Sequence, residues 1–129
     1  MILDQVTATA FAPATIANVA VGFDLLGFPI EGVGDEVTVS RSAGPGVEIT
    51  KIEGINQNIT LEADKNTATV GLIQLLKDVN ADFGFSVSIK KGIPMSSGMG
   101  GSASSAVAAI VAGAVVALKY QLWRLERSI

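Results

Sequence analysis

Gly92-Ile93-Pro94-Met95-Ser96-Ser97-Gly98-Met99-Gly100-Gly101-Ser102-Ala103-Ser104-Ser105-Ala106 is the stretch whose reading decides the fold. An alternating run, Phe83 to Ile89, precedes it and is closed by Lys90, Lys91 and Gly92. Ala/Val/Ile-rich sequence follows from about Ser102, and no charged residue occurs between Gly92 and Leu118. Period-two alternation predicts a strand, the glycines a loop, and the Ala-rich run a helix. Gly98, Gly100 and Gly101 let the backbone approach a ligand where a side chain would intervene. The start of the helix offers N–H groups without intrahelical partners and the positive end of a dipole, which together suit an anion such as phosphate. Ser102, Ser104 and Ser105 add hydroxyls for phosphate oxygens or a metal ion. The pattern is neither G-x-x-x-x-G-K-[ST] nor G-x-G-x-x-G. Two other uses fit the same residues. One is a turn before a core helix; the other is a membrane span, for which the sixteen residues Ala103–Leu118 fall short of the roughly 20 required.

Working outward, Gln5 to Ala12 alternates small apolar residues with Thr and meets Pro13, as a strand entering a loop does. Leu25 to Ile30 is a short apolar run. Asp35 to Ser42 and Val47 to Ile52 both alternate and flank Gly44-Pro45-Gly46, so they predict an antiparallel hairpin. Asn66 or Thr67 caps a predicted helix carrying Leu72, Leu75, Leu76 and Val79 at i, i+3, i+4 and i+7. Strands and helices mix without a regular alternation, which predicts an α+β fold with helices packed on a mixed sheet.

Composition narrows the chemistry. The 129 residues are 49% hydrophobic and 16% charged, which excludes intrinsic disorder. Nine Lys and Arg against twelve Asp and Glu leave a net charge of −3 and no basic footprint for nucleic acid. Cys and His are absent, so thiol and imidazole chemistry are excluded. The opening MILDQVTATA lacks the layout of a signal peptide, and the cytoplasm is the expected location. Asn18 and Asp24 stand in an apolar neighbourhood, where an amide and a carboxylate can orient a small polar substrate. Asp35-Glu36 and Glu62/Asp64 read as solvated loop charges.

Two segments carry a family resemblance. Pro94-x-x-x-Gly98-Met99-Gly100-x-Ser102-Ala103 resembles the phosphate-binding motif of the GHMP kinase superfamily, P-x-x-x-G-[LM]-G-S-S-A, with Gly101 in place of its first Ser. Pro13-Ala14-Thr15-x-Ala17-Asn18 followed by Gly22-Phe23-Asp24-x-Leu26-Gly27 is similar to the opening of the homoserine kinases within that superfamily. The resemblance implies an N-terminal ATP-binding domain over residues 1–118 and ATP-dependent phosphorylation of the L-homoserine hydroxyl, a step toward threonine. It implies that Pro94, Gly98, Met99, Gly100, Gly101, Ser102, Ala103 and Ser104 hold the ATP phosphates, with Ser102 a contact for Mg²⁺. It places Asn18 and Asp24 at the homoserine pocket and Asn66 near the nucleotide base, and it identifies no general base. Rival expectations are a related kinase of mevalonate or a sugar, and a non-catalytic membrane-associated or partner-binding module. Residues 119–129 (KYQLWRLERSI) break the composition, with a net charge of +2. An amphipathic helix end is one explanation; the other, which fits the break best, is a truncated or frameshifted product, inactive alone, whose uncovered apolar surface favours aggregation or a homo-oligomer.

Overall fold

The computed structural model describes residues 6–17, 27–54, 61–93 and 101–128. The chain runs β1 (Thr7–Ala17), β2 (Gly27–Ser42), β3 (Val47–Gly54), a 3₁₀ turn (Ala63–Lys65), α1 (Thr67–Asp78), β4 (Gly84–Lys91) and α2 (Gly101–Arg127). The four strands form one sheet in the order β1-β2-β4-β3. Pairing is antiparallel for β1/β2 and β2/β4 and parallel for β3/β4, so the sheet is mixed and the α+β expectation holds.

Strand parity divides the sheet. Val37 and Val39 on β2 and Phe85, Val87 and Ile89 on β4 are buried on one face. Against them pack Leu72 and Leu76 of α1 and Ala108, Ala109, Ala112 and Val116 of α2. The opposite face carries hydroxyls. Thr7 bonds Ser40 at 2.9 Å and Thr9 bonds Thr38 at 2.8 Å between β1 and β2. Apolar and polar residues therefore alternate as expected for a sheet covered on one side.

Both alternating runs beside Gly44-Pro45-Gly46 are strands, but they are not a hairpin. β4 lies between them, and the Phe85 N–H donates to Gly46 O at 2.9 Å where the turn passes over it. The reason is burial. β4 offers three buried apolar side chains and takes a central place, whereas β3 carries exposed Glu48, Lys51 and Glu53 and suits an edge. The parallel β3/β4 pair requires a crossover, which contains α1.

Helix α1 begins as expected, with the Asn66 side chain accepting from the Ala68 N–H at 2.9 Å. It packs against α2 where Gly113 faces Leu72, and a Cβ on Gly113 would overlap the Leu72 side chain. Helix α2 does not stop at Leu118. It continues through Arg127, with Tyr120 edge-on to Phe83 (5.0 Å between ring centroids) and Arg124 paired with Asp82 at 2.8 Å. The change in composition is thus not a break in the helix. Ala103–Arg127 is also longer than the sixteen residues expected, and by length and composition it could cross a membrane. Here 44% of its most apolar window is buried against the sheet and α1. Its outer face exposes Val107, Val111, Val115, Leu118, Leu122 and Leu125.

Candidate functional site

The end of β4 and the beginning of α2 approach the same point at one end of the sheet, and the glycine–serine segment joins them. Gly101 and Ser102 open α2, and the first-turn N–H groups there lack carbonyl partners within the helix. A 27-residue helix carries a full dipole, positive at this end. A helix start preceded by glycines is an arrangement suited to phosphate.

Three polar side chains are buried beside it. Asp35 is 0% exposed, Ser105 3% and Lys91 7%. The inward parity that places Val39 and Val37 in the core continues to Asp35. The parity of Phe85, Val87 and Ile89 continues to Lys91. The second turn of α2 brings Ser105 onto both. Lys91 forms a salt bridge with Asp35 Oδ2 and donates to Ser105 Oγ at 2.7 Å. The Ser105 hydroxyl donates to Asp35 Oδ2 at 2.6 Å. On the other oxygen, Asp35 Oδ1 accepts from the Gly92 N–H at 2.9 Å and the Ile93 N–H at 3.3 Å.

Four donors thus converge on a carboxylate that has about four lone-pair sites. A proton from a substrate, or a metal ion, would have to displace one of them. Asp35 is therefore an anchor rather than a base or a metal ligand. Its burial overturns the expectation of a solvated loop charge, and the corrective signal was present in the parity of Asp35-x-Val37-x-Val39. The same parity, Phe85-x-Val87-x-Ile89-x-Lys91, marks Lys91, which its immediate neighbours show only as a strand end.

Ser104 is also buried, and its hydroxyl donates to Pro13 O at 2.8 Å, with Ala12 O at 3.2 Å. It ties α2 to β1, and the Ser105 hydroxyl is taken up by the cluster. Of the predicted phosphate contacts, Gly101, Ser102, Ala103 and Ser104 lie in the first turns of α2. Pro94, Gly98, Met99 and Gly100 lie outside the described residues, as do Asn18 and Asp24. Asn66 is 4% exposed at the start of α1. Among the described residues no group of three or more Asp or Glu could hold a metal ion.

Gly92 is required by a close approach. A Cβ there would collide with the main-chain oxygen of Gly34, which cannot swing aside as a side chain does. Gly92→Ala is expected to cost about 1–3 kcal/mol, the range for overpacking. Urea denaturation checks this, and an unchanged midpoint would show that β2 and β4 can part at no cost.

The fold and site define a class: an α+β domain whose strand–glycine segment–helix unit suits phosphate. Residues 66–126 match the family described as GHMP kinases N terminal domain. Over 105 residues, 81% of this chain, it is 56% identical to a homoserine kinase of Xylella fastidiosa (strain M12), covering 33% of that protein. The crystal structure of homoserine kinase from Cytophaga hutchinsonii superimposes with a TM-score of 0.80 at 38% identity, over 85% of this chain and 35% of that one. Mevalonate kinase from Staphylococcus aureus MRSA252 shares the fold at a TM-score of 0.55 and 21% identity. Residues 66–126 thus carry the GHMP kinase N-terminal domain, and the chain is similar to the N-terminal part of the homoserine kinases. It spans about a third of the length of the curated relatives it matches.

Proposed function

We propose that this chain supplies the ATP-phosphate site and part of the acceptor pocket of a homoserine kinase. The reaction transfers the γ-phosphoryl group of ATP to the side-chain hydroxyl of L-homoserine, giving ADP and O-phospho-L-homoserine, in the cytoplasm and toward threonine. The observation that carries the proposal is the meeting of β4 and α2 at the glycine–serine segment. Identity of 56% with a homoserine kinase supports homoserine as the acceptor.

Phosphoryl transfer is mainly positioning and charge stabilisation, so a chain without His or Cys suits it. In the proposed site, backbone N–H groups from Gly98 to Ala103 hold the phosphates. The Ser102 hydroxyl is the contact for Mg²⁺, which supplies charge neutralisation when bound. Ser104 contributes through its place in the helix, since its hydroxyl is engaged with β1. Asn18 and Asp24 orient the acceptor, with the carboxylate of Asp24 suited to an ammonium group. Asn66 lies on the side of the base.

Calorimetric titration of the purified chain with MgATP and with L-homoserine tests this assignment. Gly100→Val should weaken MgATP at least tenfold, or about 1.4 kcal/mol, because a β-branched side chain keeps phosphate from the backbone. Unchanged affinity in the folded variant would place the phosphates elsewhere. Asp24→Asn should weaken L-homoserine by a similar factor and leave MgATP within about twofold. A parallel loss of MgATP would give Asp24 a structural or metal role instead.

A further inference from the structure

We propose that Asp35, Lys91 and Ser105 act as a buried clamp that fixes the two ends of the phosphate-binding segment, making them positioning residues for nucleotide binding. The inference rests on the phosphate role proposed above, but the clamp itself can be read without nucleotide. Asp35 Oδ1 holds the N–H groups of Gly92 and Ile93, where the chain leaves β4. Asp35 Oδ2 holds Ser105, on the second turn of α2. Lys91 closes the triangle by bonding both the carboxylate and the serine hydroxyl. Both ends of the segment 94–100 therefore hang from one carboxylate on β2. The Ser104 hydroxyl, bonded to Pro13 O at 2.8 Å, steadies the same turn of α2 against β1.

Three features argue that the cluster serves geometry. A buried ion pair adds little net stability over well-packed apolar residues, so its directional bonds are the property that an apolar core could not copy. The position is specific, since α2 also packs through Ala108, Ala109, Ala112 and Val116 without any such bonds to its side chains. Charge is also balanced. Asp35 alone would repel phosphate at the start of α2, and Lys91 cancels that charge without leaving the interior.

The test uses the purified chain with Ser105→Ala, Ser105→Thr and Val116→Ala. Ser105→Ala removes one hydroxyl and leaves the ion pair, so it should fold. Val116→Ala is a stability control in the core of α2, away from the clamp. Amide hydrogen exchange without ligand should be at least tenfold faster at Gly92 and Ile93 in Ser105→Ala. It should be close to wild type in Ser105→Thr, which restores the hydroxyl, and in Val116→Ala once global stability is matched. Calorimetry should show MgATP weakened at least tenfold in Ser105→Ala, with adenosine, which lacks phosphates, within about twofold. Ser105→Thr should recover the MgATP affinity. Unchanged exchange at Gly92 and Ile93 overturns the clamp. Faster exchange with unchanged MgATP affinity overturns its role in binding. Exchange as expected in a chain that binds no MgATP at all overturns the phosphate role itself, and so identifies the failure as that of the proposed function.

Discussion

Lys91→Met is expected to destabilise the fold by about 3–5 kcal/mol, the cost of leaving a buried charge without its partner. Asp35 is fully buried, and its carboxylate would lose the ammonium group while still held by Ser105, Gly92 and Ile93. Domains of this size are stable by about 5–15 kcal/mol, so the loss would consume a large share of the total. Urea denaturation followed by circular dichroism measures it. The double variant Asp35→Asn/Lys91→Met, which removes both charges, should be less destabilised than the two single losses added together. A Lys91→Met midpoint equal to wild type, or strict additivity in the double variant, would show that the pair is not coupled.

Phe85→Ala should be comparably damaging, at about 3–5 kcal/mol, through the cavity left in the core. The ring lies on β4, one of the two inner strands, is 0% exposed, and stands edge-on to Phe83 at 5.9 Å between centroids. Phe83 in turn supports Tyr120 of α2, so the loss should spread to the last turns of that helix. The same denaturation experiment checks the magnitude. Tryptophan emission reports the spread, because Trp123 stacks on Tyr120 at 5.6 Å. A loss under about 1 kcal/mol would show that the neighbouring helices close over the gap.

Local pattern made much of the architecture legible. The amide of Asn66 and the leucines at helical spacing led to α1, and two-residue alternation led to the cores of β2, β3 and β4. Pairing was another matter. Val47 to Ile52 alternates well enough for a hairpin, but which strand takes the centre depends on competition for burial between distant segments. Phe85, Val87 and Ile89 win that competition over a strand bearing Glu48, Lys51 and Glu53. The helical continuation of the tail was hidden for a related reason. Lys119, Arg124 and Arg127 changed the composition, yet Tyr120 and Arg124 find partners in Phe83 and Asp82 only once the sheet is folded.

The candidate site was legible where chemistry is local and obscure where it is not. Glycines before a helix suggest a backbone that can meet phosphate, and of the residues named on that ground Gly101 and Ser102 lie in the first turn of α2. Asp35 and Lys91 are 56 positions apart, and each, beside a like-charged neighbour (Glu36 and Lys90), looks like ordinary surface. Only the inward parity of two strands, taken together with the approach of Ser105, reveals that they share one buried place.

The most direct measurement is a titration of the ¹⁵N-labelled chain with MgADP, following backbone amide shifts by NMR. The largest changes are expected at Gly92, Ile93 and residues 98–104, where β4 gives way to α2. Changes confined elsewhere would contradict the account, for instance at the cavity of about 360 Å³ lined by Pro45, Lys77 and Phe83 at the opposite end of β4. An absence of any change at millimolar MgADP would contradict it equally.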